Sequence, residues 1–286
     1  MIQYICARLL FWTLAHTSPE SARFLTKLLD IALPRLRRIA MRNLEIAYPE
    51  KAHVERVRIA DGAFDSIARL IARFVRFPQM NRGNIEHWIS YEGFENYNRA
   101  KQQGRGILIA TAHLGNWELS AFAHGFLTEP MNIIIRPLDN HRIDQLVERN
   151  RKLSGNRLIE KWDSARSILR ALQQNEPVGV LIDQNTSLQE GTFVDFFNVP
   201  ACANTALVRL AARTKAPIIP GFALWSAEKG RYILRFYPEI SISGDVQRDT
   251  QALHSMLEQV IREHPDQWLW IHRRWKTRPP GEPPLY

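Results

Sequence analysis

Gly106-Ile107-Leu108-Ile109-Ala110-Thr111-Ala112-His113-Leu114-Gly115-Asn116-Trp117-Glu118 is the stretch from which the fold can be read. Residues 106–112 are an apolar run bounded by a glycine, short enough for a buried strand and too short for a core helix. The spacing therefore predicts a strand that ends at His113. Leu114, Gly115 and Asn116 break the β pattern, and Trp117 onward reads as the first turns of a helix with Asn116 as its cap. Ligands and chemistry in open α/β sheets collect where strands end and helices begin. One tight turn at such a place brings a strand-end histidine face to face with a carboxylate in the first helical turn, here Glu118.

That pairing has a chemical use. A neutral imidazole takes the proton from a hydroxyl as its oxygen attacks a carbonyl, and a carboxylate on the other ring nitrogen fixes the tautomer and stabilises the imidazolium that forms. No serine or cysteine nucleophile is needed when the acceptor hydroxyl itself attacks. Backbone N–H groups at the helix start after Gly115 are placed to receive the developing oxyanion. The alternative is that His113 merely ends the strand and Glu118 is a solvated residue favoured by the helix dipole. The spacing alone does not choose between them.

Outward from this stretch, strands and helices alternate, which predicts an α/β fold with a mainly parallel central sheet and flanking helices. Strands are expected at Ile107–Ala112, Met131–Arg136, Val178–Asp183, Phe193–Phe197, Ile218–Leu224 and Tyr232–Tyr237. Helices are expected at Trp117–Phe126, Arg142–Leu153, Ser164–Gln174 behind Asp163, Thr205–Thr214 behind Asn204, and Thr250–Glu263. Arg136 closes one strand; its fork of donors suits a phosphate or, alternatively, a salt bridge to a helix start. Asp183 and Gln184 end another, on the rim that carries His113 if the strands are parallel. Asp183 there either supports the histidine, contacts an acceptor or caps the following turn.

Residues 1–16 are mostly apolar but interrupted by Arg8, too short for a spanning helix and unlike a secretory signal. They read as an interfacial or anchoring helix, or as a helix packed on the protein's own core. Arg35, Arg37, Arg38 and Arg42 follow, suited to an anionic leaflet. Over 53–77 the apolar positions recur at helical spacing, with Arg69, Arg73 and Arg76 on another face, either simply solvated or meeting a membrane or an acidic carrier protein. The formal net charge of +9 fits an anionic partner; no nucleic-acid-binding motif accompanies it, so nucleic acid is not expected. Cys6 and Cys202 match no metal or redox spacing and read as free thiols. His124 lacks the spacing that would put two imidazoles on one helix face for a metal. Trp268, Trp270 and Trp275, beside Arg273, Arg274 and Lys276, read either as an interfacial element or as packing against the sheet. The proline-rich tail over 279–286 reads as a loose end.

His113-Leu114-Gly115-Asn116-Trp117-Glu118 resembles the signature of the bacterial lipid A biosynthesis acyltransferases, a branch of the glycerolipid acyltransferase group with its His-x4-Asp/Glu motif. Further blocks follow in the family's order: Arg42-Asn43-Leu44 with Tyr48-Pro49-Glu50, Ile135 to Asn140, and Asp183-Gln184 with Gly191 to Phe197 and Pro200-Ala201. Ala216 to Pro220, Pro265 to Trp270 and His272 to Lys276 complete the series. The similarity spans nearly the whole chain. Asn198 departs from it, standing where the family usually has glycine.

The resemblance implies an acyltransferase domain over residues 31–278, preceded by a membrane-associating helix over 1–30, on the cytoplasmic face of the inner membrane. It implies transfer of a fatty acyl chain from acyl carrier protein to a hydroxyl of a lipid A precursor glycolipid, with His113 as base, Glu118 as its partner and no metal or cofactor. Arg136, Asp183, Gln184, Gly115 and Asn116 are the implied substrate-binding residues. An acyltransferase acting on a mannosylated phosphoinositide shares the motif and is the alternative within the class. A non-catalytic membrane-surface binding protein is the alternative outside it.

Overall fold

The computed structural model describes Thr13, residues 34–160 and residues 164–286. Apart from Thr13, the membrane-associating segment expected over 1–30 lies outside the described residues, as do Cys6 and the Asp163 cap. The helices are α1 (Pro34–Ala47), α2 (His53–Phe74), α3 (Phe94–Gln102), α4 (Trp117–Leu127), α5 (His141–Lys152), α6 (Ser164–Gln173), α7 (Ala206–Thr214) and α8 (Val246–Glu263). The strands are β1 (Ile89–Glu92), β2 (Ile107–Thr111), β3 (Asn132–Ile135), β4 (Arg157–Glu160) and β5 (Pro177–Leu181), then β6 (Gly191–Phe196), β7 (Val199–Asn204), β8 (Ile218–Ser226) and β9 (Arg231–Phe236). Among the described residues no helix is long and apolar enough to cross a membrane.

Seven strands form one sheet in the order β1-β9-β8-β2-β5-β3-β4. All adjacent pairs are parallel except β8 with β9, so the mainly parallel sheet expected from the alternation is present. β2 lies at its centre, and its alternate residues feed two cores: Leu108 and Ala110 pack on one side with α8 and the C-terminal tryptophans. Ile107 and Ile109 pack on the other with Phe77, Tyr97 and Phe122. A strand covered on both faces must be apolar at nearly every position, which is why this one was plain in the sequence. The edge strands β1 and β4 carry Glu92 and Arg157 and were not expected; a strand with one open side has no need of a continuous apolar run.

β6 and β7 stand apart as an antiparallel hairpin. Their turn is formed by Phe197 and Asn198, both left-handed, with φ of 57° and 59°, the conformation of a two-residue hairpin loop. Asparagine tolerates this region better than other side chains, so Asn198 accommodates the turn without the family's glycine. α8 begins at Val246, earlier than expected, because Asp245 caps it by accepting from the N–H groups of Gln247 and Arg248. Asn204 likewise accepts from Ala206 N–H at 2.8 Å ahead of α7.

Two readings left open or different in the sequence are decided by burial. Trp268, Trp270 and Trp275 are fully buried, so they are core rather than an interfacial element. Burying such rings is worth roughly 1.5–3 kcal/mol apiece. Nor is the tail over 279–286 loose: the Leu285 carbonyl accepts from Arg42 Nε at 2.8 Å. The Tyr286 hydroxyl accepts from Trp275 N–H at 3.1 Å and donates to Asn43 Oδ1. A terminal aromatic gave the prolines an anchor that composition did not reveal.

Candidate functional site

β2 and β5 are parallel neighbours in register Thr111 to Leu181, so the residues just beyond them, His113 and Asp183, leave the sheet together. His113 Nδ1 lies 2.9 Å from Asp183 Oδ1, and the His113 backbone N–H donates to Asp183 Oδ2 at 3.1 Å. The Trp268 indole N–H donates to the same Oδ2 at 2.9 Å. Burial pushes the Asp183 carboxyl up, but the charge and hydrogen bond of His113, with the Trp268 bond, outweigh it, leaving it well below the usual carboxylate range. Asp183 is therefore an acceptor only, Nδ1 carries the proton, and Nε2 keeps its lone pair for a substrate. Burial pushes the His113 ring down, yet the charge and hydrogen bond of Asp183, with a smaller contribution from Glu118, raise its pKa overall. The Trp117 ring meets the imidazole edge-on, centroids 4.9 Å apart.

Glu118 lies in the first turn of α4, as expected, but the structure does not place it on His113 Nδ1. That position belongs to Asp183, which the sequence offered as a support for the histidine, a contact for an acceptor or a cap of the following turn. Glu118 instead holds Arg151 of α5 in a two-pronged ion pair, Nε to Oε2 at 2.9 Å and Nη2 to Oε1 at 2.5 Å, with both side chains largely buried. Burial pulls the Arg151 guanidinium down, and Glu118 more than restores it. Arg151 was missed because nothing in its local sequence distinguishes it from the other basic residues of the last turn of α5.

Gly115 and Asn116 build the turn. Gly115 has φ +64°, and a Cβ there would lie 2.0 Å from the Ala223 carbonyl oxygen, so glycine is required. The Gly115 N–H donates to Gln267 O and the Asn116 N–H to Ala223 O, which removes both from the expected oxyanion role. The Asn116 side chain accepts from Leu119 N–H as the N-cap. The Trp117 and Glu118 N–H groups are then the first-turn donors that no acceptor takes among the described residues.

Two histidines to which the sequence assigned no role lie against the chain at Asp183, His254 fully buried and His272 partly buried. His254 Nε2 on α8 lies 3.2 Å from the Ile182 carbonyl. His272 Nε2 lies 3.2 Å from the carbonyl of Asp183. Burial lowers the pKa of both, that of His254 to about 4, and each ring has a second carbonyl at its other nitrogen, Thr250 O 2.9 Å from His254 Nδ1 and Leu269 O 2.7 Å from His272 Nδ1, so a neutral ring, with its single N–H, donates to only one of its two carbonyls. The Leu269 N–H donates to His113 O at 2.9 Å, so the segment through Trp268 and His272 underpins both members of the pair.

The other expected residues sit on the same rim but apart. Arg136 follows β3, which is two strands from β2, about 10 Å away at ordinary strand spacing; it is exposed. Gln184 is exposed beside the buried Asp183. Among the described residues no group of three or more His, Cys, Asp or Glu side chains could hold a metal ion.

A histidine with a buried carboxylate on Nδ1, at the strand-end rim of an α/β sheet, is an arrangement that can take a proton from a hydroxyl. The sequence pattern of the family described as bacterial lipid A biosynthesis acyltransferase matches residues 2–277, and the chain belongs to that family. It is 30% identical to the lipid A biosynthesis lauroyltransferase of Escherichia coli (strain K12) over 260 residues, covering 89% of this chain and 83% of that protein. It is 29% identical to the palmitoleoyltransferase of the same strain over 266 residues, covering 91% and 86%. The corresponding myristoyltransferase is 22% identical over 248 residues.

Proposed function

We propose that the protein is an O-acyltransferase that moves a fatty acyl chain from an acyl carrier protein thioester to a hydroxyl of a lipid A precursor glycolipid. The observation that carries this reading is the His113–Asp183 pair, set at the start of the motif helix in a chain of this family. His113 Nε2 takes the proton of the acceptor hydroxyl as its oxygen attacks the thioester carbonyl carbon. Asp183 holds the ring and stabilises the imidazolium. The carbonyl oxygen becomes an oxyanion that the Trp117 and Glu118 N–H groups and the helix start favour. Its collapse forms the ester and expels the thiolate, which receives the proton from the imidazolium. Glu118, pinned by Arg151, adds negative charge that supports the imidazolium, and Arg136 and Gln184 contact substrate from the rim.

The enzyme works on the cytoplasmic face of the inner membrane. Arg35, Arg38, Arg42 and Arg273 line one surface groove with Tyr286, a basic surface suited to anionic headgroups. The test is acyl transfer by purified full-length protein from acyl carrier protein thioester to a lipid A precursor, followed by mass spectrometry. An ester-linked acyl chain on the precursor is expected. Absence of transfer to it, with transfer to a mannosylated phosphoinositide, would overturn the acceptor assignment.

A further inference from the structure

Residues 267–269 run beside the motif turn and are tied to it through the backbone. The Gly115 N–H donates to Gln267 O and the Leu269 N–H to His113 O, each at 2.9 Å, with Leu114 and Trp268 as an antiparallel bridge between them. The backbone of Trp268 is thereby fixed against the chain that carries the histidine. Its side chain is fully buried and meets the rings of Trp270, His272 and Phe196 edge-on, with centroids 4.5, 5.1 and 5.8 Å away. Held by its backbone and by three rings, the indole has one direction for its N–H, and there it finds Asp183 Oδ2 at 2.9 Å. The other two tryptophans of this buried cluster direct theirs at backbone carbonyls, Trp270 at Pro265 O and Trp275 at Phe196 O. Of the three, Trp268 alone donates to a charged side chain.

Three N–H groups therefore meet one fully buried carboxylate: the His113 ring at Oδ1, and the His113 backbone and the Trp268 indole at Oδ2. The two oxygens of a carboxylate are equivalent until their partners differ. A pair of donors on Oδ2 holds the plane of the group and leaves Oδ1 to the ring. The indole also acts on charge. Its N–H brings the positive end of a dipole to the carboxylate, and in a buried place such a dipole opposes a second positive charge on the neighbouring imidazole.

We propose that Trp268 is a positioning residue for the proton transfer: its indole N–H keeps Asp183 Oδ2 occupied, so that Oδ1 meets the His113 ring, and takes up part of the carboxylate charge that would otherwise bear on that ring. This rests on the acyltransferase reading and deepens it. The other charged or titratable groups about the pair are Glu118 of α4 with its partner Arg151 of α5, His254 of α8, and His272 and Arg274 of the C-terminal segment. All of them stay in place in the variants that test the idea.

The test replaces Trp268 in the full-length protein in two ways: Trp268→Phe, and benzothienylalanine at the same position, which keeps the ring shape with sulfur where the N–H was. Two quantities are read, the pH dependence of acyl transfer and the NMR titration of the His113 ring, identified by its absence in His113→Gln. With the indole N–H gone the carboxylate charge bears fully on the imidazolium. The acidic limb and the ring titration then both move to higher pH by about one unit, and the rate measured below the limb falls about tenfold because the neutral base is that much scarcer. Trp270→Phe controls for packing: it trims a ring of the same cluster and removes the bond to Pro265 O, so it lowers the melting temperature and leaves the limb where the parent has it. Benzothienylalanine decides where phenylalanine prevents folding. A limb and a ring titration that stay in place, or move to lower pH, in a folded Trp268 variant overturn the role of Trp268. A ring titration that moves up in a protein that transfers no acyl chain keeps the link from Trp268 to His113 and sinks the acyltransferase reading.

Discussion

Asp183 takes hold of His113 at two points, accepting from the ring at Oδ1 and from the backbone N–H at Oδ2, 2.9 and 3.1 Å away. The ring orientation and the chain that carries it are thus fixed by one carboxylate, which leaves little freedom for the imidazole to turn away from a substrate. Replacing the carboxylate by an amide tests this directly. In Asp183→Asn the acyl-transfer rate falls by about 10²–10⁴-fold, because the amide also presents a donor and can hold the wrong tautomer. The pH dependence gives a second readout. Burial lowers the His113 pKa, Asp183 and then Glu118 raise it, and the net shift is upward. The base is neutral only above that pKa, so the acidic limb of the parent lies above the ordinary histidine value of about 6.5. Removing the Asp183 charge moves the limb to lower pH. A limb that stays put in an active Asp183→Asn enzyme would mean that another group sets it. His113→Ala, in a protein of unchanged fold, should lose at least about a hundredfold.

Glu118 and Arg151 act as a unit, and a double-mutant cycle reads their coupling. Breaking a buried ion pair by removing one partner typically costs about 3–5 kcal/mol because the other charge is stranded. Glu118→Gln and Arg151→Met should each lower stability substantially in a denaturant titration, while the double variant loses clearly less than the sum. Additive losses would show that the two side chains are energetically independent.

Gly115→Ala places a methyl on the Ala223 carbonyl oxygen and puts a side chain at positive φ. Strain of that backbone kind alone costs about 1–3 kcal/mol, and the overlap adds to it. The expected result is a melting temperature well below the parent's, with acyl transfer lost where folded protein remains, since the turn carries both His113 and the α4 cap. A stable, active Gly115→Ala would show that the 113–117 turn can be rebuilt.

Membrane attachment should depend on salt. Each arginine near an anionic surface contributes about 1 kcal/mol, and that attraction fades as the screening length drops from about 10 Å at 0.1 M to about 3 Å at 1 M salt. Sedimentation with phosphatidylglycerol vesicles should therefore show weaker binding for Arg35→Glu, Arg38→Glu and Arg273→Glu combined, chiefly at low salt. Equal binding of parent and variant to neutral and anionic vesicles would dismiss the basic groove as a membrane contact.

The centre of the fold was legible because its strands are buried on both faces and cannot hide. The apolar run 107–112, the break at Gly115 and the cap at Asn116 each follow from local chemistry, and each is where the sequence put it. The edge strands escaped because they carry charge, and the C-terminal tryptophans were ambiguous because an interfacial and a core tryptophan look alike until their burial is known. Within the site, the position of His113 was local and readable, whereas its hydrogen-bond partner was not. A carboxylate five residues away competes with one seventy residues away, and only the parallel register of β2 and β5 decides for Asp183. The bond from Arg151 to Glu118 and the placing of His254 and His272 against the chain at Asp183 are likewise products of packing, with no spacing to announce them.

The place of residues 268–272 in the structure also sets the order of events during synthesis. β2 leaves the ribosome before either of its neighbours, β5 and β8, exists. Leu269, whose N–H donates to His113 O, comes later still. At ~5–20 residues per second the motif histidine waits roughly ten to thirty seconds for its support. α1 waits longer, since Asn43 Nδ2 donates to the carbonyls of Trp270 and His272. A growing chain therefore displays an apolar central strand and a basic first helix with no finished site. His113 and Asp183 gain their full support only after residues 268–272 have emerged. Such long-range closure is slow by nature, and it leaves the surroundings of His113 unfinished until those residues arrive.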